Sequence, residues 1–365
     1  MPSNLEVYGN GWETILQLLT RDEISEITVV KAMNGVFATI NGVRRPVGKV
    51  GWGNYESYKT DFRQTVLPNM QAAGFDDPEK SSSIYEGALE YLGADRNNRT
   101  ITVHARFHEM LPPAVTFPSV TIAKRSESLT SLESMKHNGT MDDTVMDFLI
   151  RMMESKQTFI LSAGTGAGKT TMLRALCNYI QEGERVIICE DSPELAIKNV
   201  NTVYMESMPW RPGIDPNDTV PLWWLVAQAN RMRTDRIIVG ETRGKEFGAF
   251  LTGANSGLKG SATTIHADDP QMCIAKMGQF AMADDPGRSQ FSVMKDIAMS
   301  VDFIIQLGKD NSGRHWVETI EEISNTVSDR TNQISTATIF KHLPNGAFEN
   351  RLGAMSDVKR DELGY

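Results

Sequence analysis

The chain has 365 residues, of which 40% are hydrophobic and 23% charged, and its formal net charge is −9. This balance is typical of a globular protein long enough for two domains, and it excludes both a small disulfide-stapled scaffold and a disordered tail. Neither residues 1–125 nor the rest of the chain has an excess of Lys and Arg, so we expect no stable direct binding to nucleic acid.

The lack of a recognisable targeting signal and the cysteine spacing predict a cytoplasmic protein. No stretch approaches the roughly 20 apolar residues of a membrane-spanning helix, and the N-terminus lacks the basic and apolar regions of a secretion signal. Cys177, Cys189 and Cys273 are too widely spaced for a CxxC pair. We therefore expect them to be reduced and buried, in a cytoplasmic protein.

The first 125 residues mix strand and helix signals. A helix is predicted at 12–19, and the run ISEITVVKAMNGVFATINGVRRPV alternates apolar and polar residues around two Asn-Gly pairs. That pattern predicts short antiparallel strands joined by tight turns. A helix at about 58–73, the strand-like run ITVHARFHEM and a β-branched strand after LPP follow. The sequence thus predicts a small mixed α+β domain at 1–125.

The pattern changes at residues 126–140, which are rich in Ser and Thr and weakly apolar, and which predict a linker. Beyond it, helices alternate with the fully apolar strands TFILSA, RVIICE and RIIVGE. Continuous apolar strands separated by helices favour a parallel sheet covered on both faces. Residues 141–365 are therefore predicted to form one α/β domain, with small peripheral elements in the last forty residues, which include NGAFENRLG and DVKRDELGY.

The strongest chemical signal is AGTGAGKTT, between a predicted strand and a predicted helix. Its glycines let backbone N–H groups surround phosphate oxygens, Lys169 supplies a cation for the β- and γ-phosphates, and the Thr170 hydroxyl can bind Mg²⁺. Ala163 stands where the commonest pattern has a glycine, which is a minor departure. The residues assigned to nucleotide binding are Gly164, Thr165, Gly166, Ala167, Gly168, Lys169, Thr170 and Thr171.

Acidic residues follow two further apolar strands. RIIVGETRG carries Glu241, where a carboxylate can hold Mg²⁺ or polarise the attacking water. CEDSPEL supplies Glu190, Asp191 and Glu194 at a strand end, and one of them can act as general base. A helix cap by Asp191 or Ser192 is the alternative interpretation, and both can hold together. The choice of catalytic base among these carboxylates stays open.

A histidine follows the Gly-, Ser- and Thr-rich run in KGSATTIHADDP. His266 at a strand end can sense the γ-phosphate through a hydrogen bond. A lone histidine is more often structural, so the functional interpretation depends on the neighbouring motifs. His104 and His108 have no Cys or third His beside them, which argues against a metal site there.

The four motifs in this order, AGTGAGKTT, CEDSPEL, RMRTDRIIVGETRG and TTIHADDP, resemble the traffic ATPases of the type II/type IV secretion superfamily. The resemblance is strongest to the hexameric type IV secretion branch and its relatives in Tad-type pilus assembly. It extends to HARFHEMLPPAVTFPSVTIAKR in the N-terminal part. It implies a RecA-like P-loop NTPase domain with a parallel sheet, preceded by the smaller mixed α+β domain.

The resemblance also implies roles for individual residues. Glu190, Asp191 and Glu194 match the acidic box, Glu241 the Walker B carboxylate, and His266 the histidine box. Basic residues that in this family reach the phosphates or flank the Walker B strand match Arg106, Lys124, Arg125, Arg231, Arg233 and Arg243. The run NSGLKGS stands where the family more often has TGHDGS, which leaves the partner of this ATPase open.

The function implied is ATP hydrolysis, with ATP and Mg²⁺ as cofactors, by a homo-hexameric motor of a type IV secretion or conjugation apparatus. Such a ring would work at the inner face of the cytoplasmic membrane with inner-membrane components as partners. A motor for pilus extension, pilus retraction or type II secretion is the main alternative. The acidic balance argues against a RecA-like nucleic-acid motor, and Lys169, Glu194 and Glu241 argue against an adaptor that binds ATP without turnover.

Overall fold

The computed structural model of the chain describes residues 7–9, 11–30, 35–40, 43–50, 52, 54–71, 84–124, 131–208, 217 and 219–365. These residues belong to two compact units. The first unit contains the elements up to residue 124, and the second contains those from residue 131 onward. Within the described ranges, no helix is both long enough and apolar enough to cross a bilayer.

The first unit is a mixed sheet with helices packed on it. Its strands are β1 (Val7–Gly9), β2 (Ile24–Val30), β3 (Gly35–Ile40), β4 (Val43–Val50), β5 (Ile84–Ala94), β6 (Thr100–Met110) and β7 (Ser119–Lys124). Its helices are α1 (Trp12–Leu19), α2 (Tyr55–Asp61) and α3 (Leu67–Gln71), with a π-helical turn at Phe62–Val66. The sheet order is β1-β4-β3-β2-β7-β6-β5, in which β1 pairs parallel and the other strands pair antiparallel.

The core of this unit is built around α1. One face of the helix buries Trp12, Ile15, Leu16 and Leu19, at the spacing of one helical stripe. The ring of Trp12 packs against the rings of Trp52, Tyr58, Phe62 and Phe107. The carboxylate of Asp61 accepts hydrogen bonds of 2.7 Å from both the Trp12 backbone N–H and the Trp52 indole. A distant side chain thus caps the helix, and the prediction of a helix at 12–19 is confirmed.

Most other predictions for this unit are confirmed as well. The strands expected around the Asn-Gly pairs form β2, β3 and β4, and the turns between them lie outside the described residues. The runs ITVHARFHEM and SVTIAK form β6 and β7. The helix expected at about 58–73 begins earlier, at Tyr55, and is interrupted by the π-helical turn. β5 was not predicted, because only its continuous pairing with β6 holds its Gly- and Ala-containing sequence in a strand.

The second unit is a larger α/β structure. Its strands are β8 (Phe159–Ala163), β9 (Val186–Glu190), β10 (Thr202–Glu206), β11 (Arg236–Val239), β12 (Ala262–His266), β13 (Phe303–Lys309), β14 (His315–Val327), β15 (Ile334–His342) and β16 (Phe348–Asn350). Its helices are α4 (Leu132–His137), α5 (Asp143–Glu154), α6 (Lys169–Cys177), α7 (Leu222–Ala229), α8 (Glu246–Asn255), α9 (Pro270–Asp284), α10 (Gln290–Ser300) and α11 (Asp357–Leu363), with a 3₁₀ turn at Leu352–Ala354.

The expected parallel sheet is confirmed at the centre of this unit. The strand order is β10-β9-β11-β12-β8-β13-β14-β15-β16, and the strands from β10 to β13 run parallel. Every residue of β8, β9 and β11 is buried. Helices α4, α5, α6 and α11 cover one face of the sheet, and α7 to α10 cover the other. Burial on both faces explains why these strands are apolar throughout.

The C-terminal part differs from the prediction of small peripheral elements. β15 pairs antiparallel with β14 and extends the central sheet, with Ile339 and Phe340 buried in the core. Helix α11 is attached through Lys359, whose Nζ lies 2.5 Å from Asp302 Oδ1 and donates to Gln157 Oε1 at 2.7 Å. The prediction was wrong here because this segment has no regular hydrophobic pattern. Its structure depends on contacts with residues distant in the chain, such as β14 and Asp302.

The predicted linker at 126–140 also contains regular structure where it is described. Ser131 caps α4 through a capping box with Ser134, and Leu132 and Met135 are buried against the core of the second unit. Two buried side chains one helical turn apart are a weak sequence signal, since a six-residue helix has too few positions to establish a period. The described part of this segment is therefore anchored to the second unit.

A buried carboxyl group lies in the core of the first unit. Glu109 on β6 is 1% exposed and accepts a hydrogen bond from the hydroxyl of buried Tyr58. Its other oxygen, Oε2, has no hydrogen-bond partner in the described part of the chain. Burial raises the pKa of Glu109 to about 7, an effect that the hydrogen bond from Tyr58 only partly offsets.

This raised pKa predicts a loss of stability with rising pH. The folded chain binds more protons than the unfolded chain between the ordinary pKa of 4.5 and the folded-state value of about 7, so stability decreases through that window. The shift corresponds to about 3 kcal/mol. Glu109→Gln keeps an oxygen acceptor for Tyr58 and removes the charge. In thermal unfolding of the full chain we expect the variant to melt above wild type at pH 8 and close to it at pH 5. An equal melting temperature at pH 8 would contradict this account.

Candidate active site

The loop between β8 and α6 has the geometry of an anion-binding turn. Gly166 and Gly168 adopt φ values of +68° and +84°, which favour glycine. Gly168 directly precedes α6, and no side chain in the described structure caps this helix end. The first N–H groups of α6 therefore remain available as donors, and the helix dipole adds positive potential at the same point. This arrangement fits the phosphate groups of a nucleotide.

Lys169 is the first residue of α6 and is only 7% exposed. Its Nζ donates to the carbonyl oxygens of Ala163 at 3.1 Å and Gly164 at 3.3 Å, and it lies 2.9 Å from Nδ1 of His266. Burial lowers the pKa of Lys169 to about 8, against the opposing effect of the Glu241 carboxylate. The ammonium group is thus held by neutral acceptors at the base of the loop.

His266 connects this lysine to the Glu241 carboxylate. The last residue of β12, it pairs with Ala163 of β8, and its Nε2 lies 2.9 Å from Glu241 Oε1. Burial and the nearby Lys169 charge lower its pKa, so the ring is neutral at pH 7. With Nδ1 accepting from Lys169, the ring proton is on Nε2. The 2.9 Å approach of Nε2 to Glu241 Oε1 lacks hydrogen-bond geometry, since that oxygen has no hydrogen-bond partner within the described residues. Arg243 Nη2 donates to Glu241 Oε2 at 2.5 Å, which completes the Lys169–His266–Glu241–Arg243 network.

The acidic residues after β9 differ in their contacts. Glu190 is buried, and its carboxylate accepts backbone hydrogen bonds of 3.1 Å from Glu194 and Leu195, which fix the following loop. Gly240 makes room for it, since a Cβ there would lie 2.9 Å from Glu190 Cγ. Asp191 and Glu194 are exposed. No helix begins within the described segment 191–200, so the alternative of a helix cap is wrong.

The arginines around β11 lie at opposite ends of that strand. Arg243 belongs to the network at the carboxyl end and has a raised pKa, mainly because it donates to Glu241. Arg231 and Arg233 are exposed in the turn before β11, at its amino end. The four residues of β11 separate the two ends by about 13 Å. Within one chain, Arg231 and Arg233 are therefore remote from Glu241.

The basic residues of the first unit occupy different faces of its sheet. Arg106 pairs with Ala123, while Lys124 pairs with the buried Ala105. Directly paired residues share a face, so Arg106 and Lys124 lie on opposite faces. Nζ of Lys124 donates to the Arg21 carbonyl at 3.3 Å. Arg125 lies outside the described residues. The proposed contact of these residues with a nucleotide stays a prediction.

Other polar residues near the loop were missed from sequence. Lys276 on α9 donates to the backbone carbonyl of His266, and it supports the strand end that carries the imidazole. Asp268 Oδ1 lies 3.7 Å from the position a Cβ on Gly164 would take. Asp268 lies within TTIHADDP and Lys276 follows it closely. The Asp-Pro start of α9 is a helix N-terminal signal that could have placed Lys276 on a helix facing the site.

The donor set also fits a magnesium ion bound together with phosphate. Mg²⁺ in such sites uses one or two protein oxygens and completes its shell with phosphate oxygens and water. Thr170, in the first turn of α6, and the Glu241 carboxylate would provide the protein ligands. No group of three or more His, Cys, Asp or Glu residues within the described ranges could hold a metal without such help.

Comparison with known proteins gives a family match over most of the chain. Residues 97–339 match the family described as "Type II/IV secretion system protein". The "Putative conjugal transfer protein Rv3659c" of Mycobacterium tuberculosis is 30% identical over 216 residues, which are 59% of this chain and 60% of that protein. "Type IV secretion system protein VirB11" of Brucella suis is 29% identical over 203 residues, which are 53% of this chain and 55% of that protein. The matched regions thus span about three fifths of these relatives.

Solved structures support the fold. The Legionella pneumophila ATPase DotB superposes with a TM-score of 0.55 and 16% identity, covering 90% of this chain and 78% of DotB. The pilus retraction motor PilT with bound ADP superposes with a TM-score of 0.51 and 14% identity, covering 96% of this chain and 86% of PilT. These similarities confirm the expected RecA-like domain preceded by a mixed α+β domain. Because the family match covers more than half of the chain, we conclude that the protein belongs to the type II/IV secretion system protein family.

Proposed function

We propose that the protein hydrolyses ATP as the motor of a type IV secretion or conjugation apparatus. The observation that carries the proposal is the contact of Lys169, at the end of the glycine-turned loop, with His266, which in turn lies against Glu241. This contact joins a phosphate-binding group to a carboxylate able to orient water. The names of the relatives, conjugal transfer proteins and VirB11, support conjugation over pilus movement.

In the proposed reaction, the α6 N–H groups and Lys169 bind the polyphosphate, and Glu241 or Glu194 positions the attacking water. Bound Mg²⁺, held by Thr170 and Glu241, would neutralise charge on the β- and γ-phosphates. The neutral His266 ring contacts both Lys169 and Glu241. A movement of the Lys169 ammonium toward phosphate can therefore shift the ring and, through it, the Glu241 carboxylate. Glu190 acts by fixing the backbone that carries Glu194.

We propose a homo-hexamer as the working form. Arg231 and Arg233 are exposed and remote from Glu241 of their own chain, so a role of either at a phosphate requires a neighbouring copy. An arginine supplied by another subunit is a common way to stabilise transition-state charge. The ring would work at the inner face of the cytoplasmic membrane with inner-membrane components. The division into domains at 1–125 and 141–365 belongs to this proposal, and the described residues 131–140 pack with the second unit.

Replacing the lysine of the loop tests nucleotide turnover. Lys169→Ala removes the cation assigned to the β- and γ-phosphates, and we expect phosphate release from ATP to fall at least about 100-fold. Lys198→Ala, at an exposed lysine in the loop after β9, is the matched control and should retain wild-type turnover. Circular dichroism of both variants checks the fold. Wild-type hydrolysis by Lys169→Ala would refute the assignment of the loop.

Isosteric substitutions distinguish the roles of the Glu241 and Glu194 carboxylates. We expect Glu241→Gln to bind ATP with nearly unchanged affinity while hydrolysis falls about 100-fold, because the amide preserves shape but neither attracts the metal nor polarises water. Glu194→Gln is measured beside it by ATP titration and steady-state phosphate release. If Glu194→Gln is the more damaging substitution, the catalytic base is Glu194 and the role assigned to Glu241 is wrong.

The pKa of Lys169 predicts the pH dependence of binding. With a pKa of about 8, the ammonium is mostly protonated at pH 7 and is lost as the pH rises past 8. Phosphate binding requires the charged form, so affinity for ADP should be flat below pH 7 and fall about tenfold per unit well above pH 8. Calorimetric titration from pH 6.5 to 9.5 measures this, and Lys169→Arg should bind with a flat profile. A flat profile for wild type would argue against the predicted titration.

A further inference from the structure

The hairpin of β13 and β14 reaches the phosphate-binding loop. β13 lies beside β8 in parallel register, with Gln306 opposite Ser162. Lys309 is three residues further along β13, which brings it level with the loop that continues from β8. His315, the first residue of β14, is the direct cross-strand partner of Lys309. The sheet register thus places both side chains at the loop.

Two close approaches confirm this placement. Nζ of Lys309 lies 3.4 Å from the position that a Cβ on Gly166 would take. Nδ1 of His315 lies 3.1 Å from the corresponding position at Gly168. These are the two loop glycines with positive φ, so the side chains adjoin the part of the loop where backbone N–H groups turn inward.

The charge of Lys309 is not compensated by the residues around it. Its side chain is exposed, and within the described ranges no hydrogen bond or ion pair engages it. The adjacent acidic residue, Asp310, pairs instead with Arg314 at 2.9 Å. Lys309 therefore adds a positive charge beside Gly166 of the loop. A polyanion bound in the loop would be attracted to this charge.

We propose that Lys309 is a second cation that binds the phosphates of the nucleotide, with His315 beside it on the same wall of the site. The proposal rests on the proposed nucleotide-binding function. Lys309 contributes to affinity for the diphosphate part of ADP and ATP, while Lys169 and the carboxylates perform the chemistry. Strand β14 of the hairpin also pairs with β15. Contact of Lys309 with phosphate would therefore connect the antiparallel half of the sheet to the ligand.

The test compares Lys309→Ala, Lys309→Arg and the control Lys341→Ala, an exposed lysine on β15, in the full chain. Affinities are measured for a fluorescent ADP analogue and, by competition, for inorganic pyrophosphate. We expect Lys309→Ala to weaken both ligands about tenfold, as for the loss of one charge-assisted hydrogen bond, with a weaker dependence of affinity on salt. Lys309→Arg should restore both properties, and Lys341→Ala should match wild type.

The outcomes separate this proposal from the function itself. If wild type binds and hydrolyses ATP while Lys309→Ala behaves as the control does, only the role of Lys309 is refuted. A loss of affinity that has the wild-type salt dependence and is not rescued by Arg also refutes it, because that result indicates a structural effect on the loop. If wild type binds neither ADP nor pyrophosphate, the proposed function fails before Lys309 is tested.

Discussion

The parallel register of β8, β9, β11, β12 and β13 is the constraint on which the candidate site depends. Parallel strands bring their carboxyl ends to one edge of a sheet, and each of these strands is followed or ended there by a residue of the site. The pairing of His266 with Ala163 is the clearest case, since it sets the imidazole beside the lysine that follows the loop. Displacing β12 by one residue would turn His266 to the other face and break the network.

At the amino ends of the same parallel strands, buried ion pairs stabilise the fold. Arg236 at the amino end of β11 is fully buried, and its guanidinium donates to Glu184 at 2.8 Å and to the Met153 carbonyl at 2.8 Å. Lys156 adds a second ion pair to Glu184 at 3.1 Å. Removing one member of such a buried pair is costly, because its partner stays buried and charged. The amino end of β11 therefore stabilises the fold through Arg236, whereas the proposed chemical role lies at Glu241 beyond its carboxyl end.

Local motifs explain why much of the site could be predicted from sequence. The phosphate-binding loop and the residues after β9, β11 and β12 lie within short segments in which glycines, carboxylates and strand ends are adjacent in the chain. Lys276, Lys309 and His315 could not be found in this way, because sheet order and helix packing bring them to the loop from distant segments. The same limit applies to β5 and β15, whose strand conformation depends on pairing with β6 and β14.

The placement of Lys169 has a consequence for the kinetics of the proposed nucleotide binding. Its ammonium group already has three acceptors within the protein, namely two carbonyl oxygens and the His266 ring. An arriving phosphate has to compete with these internal acceptors, which lowers the net affinity that the lysine provides. When the product leaves, the ammonium can again donate to the same acceptors. Release of the diphosphate therefore does not leave a buried charge without hydrogen-bond partners. For the proposed motor, this arrangement favours rapid release over tight binding, as binding and releasing nucleotide in every cycle requires.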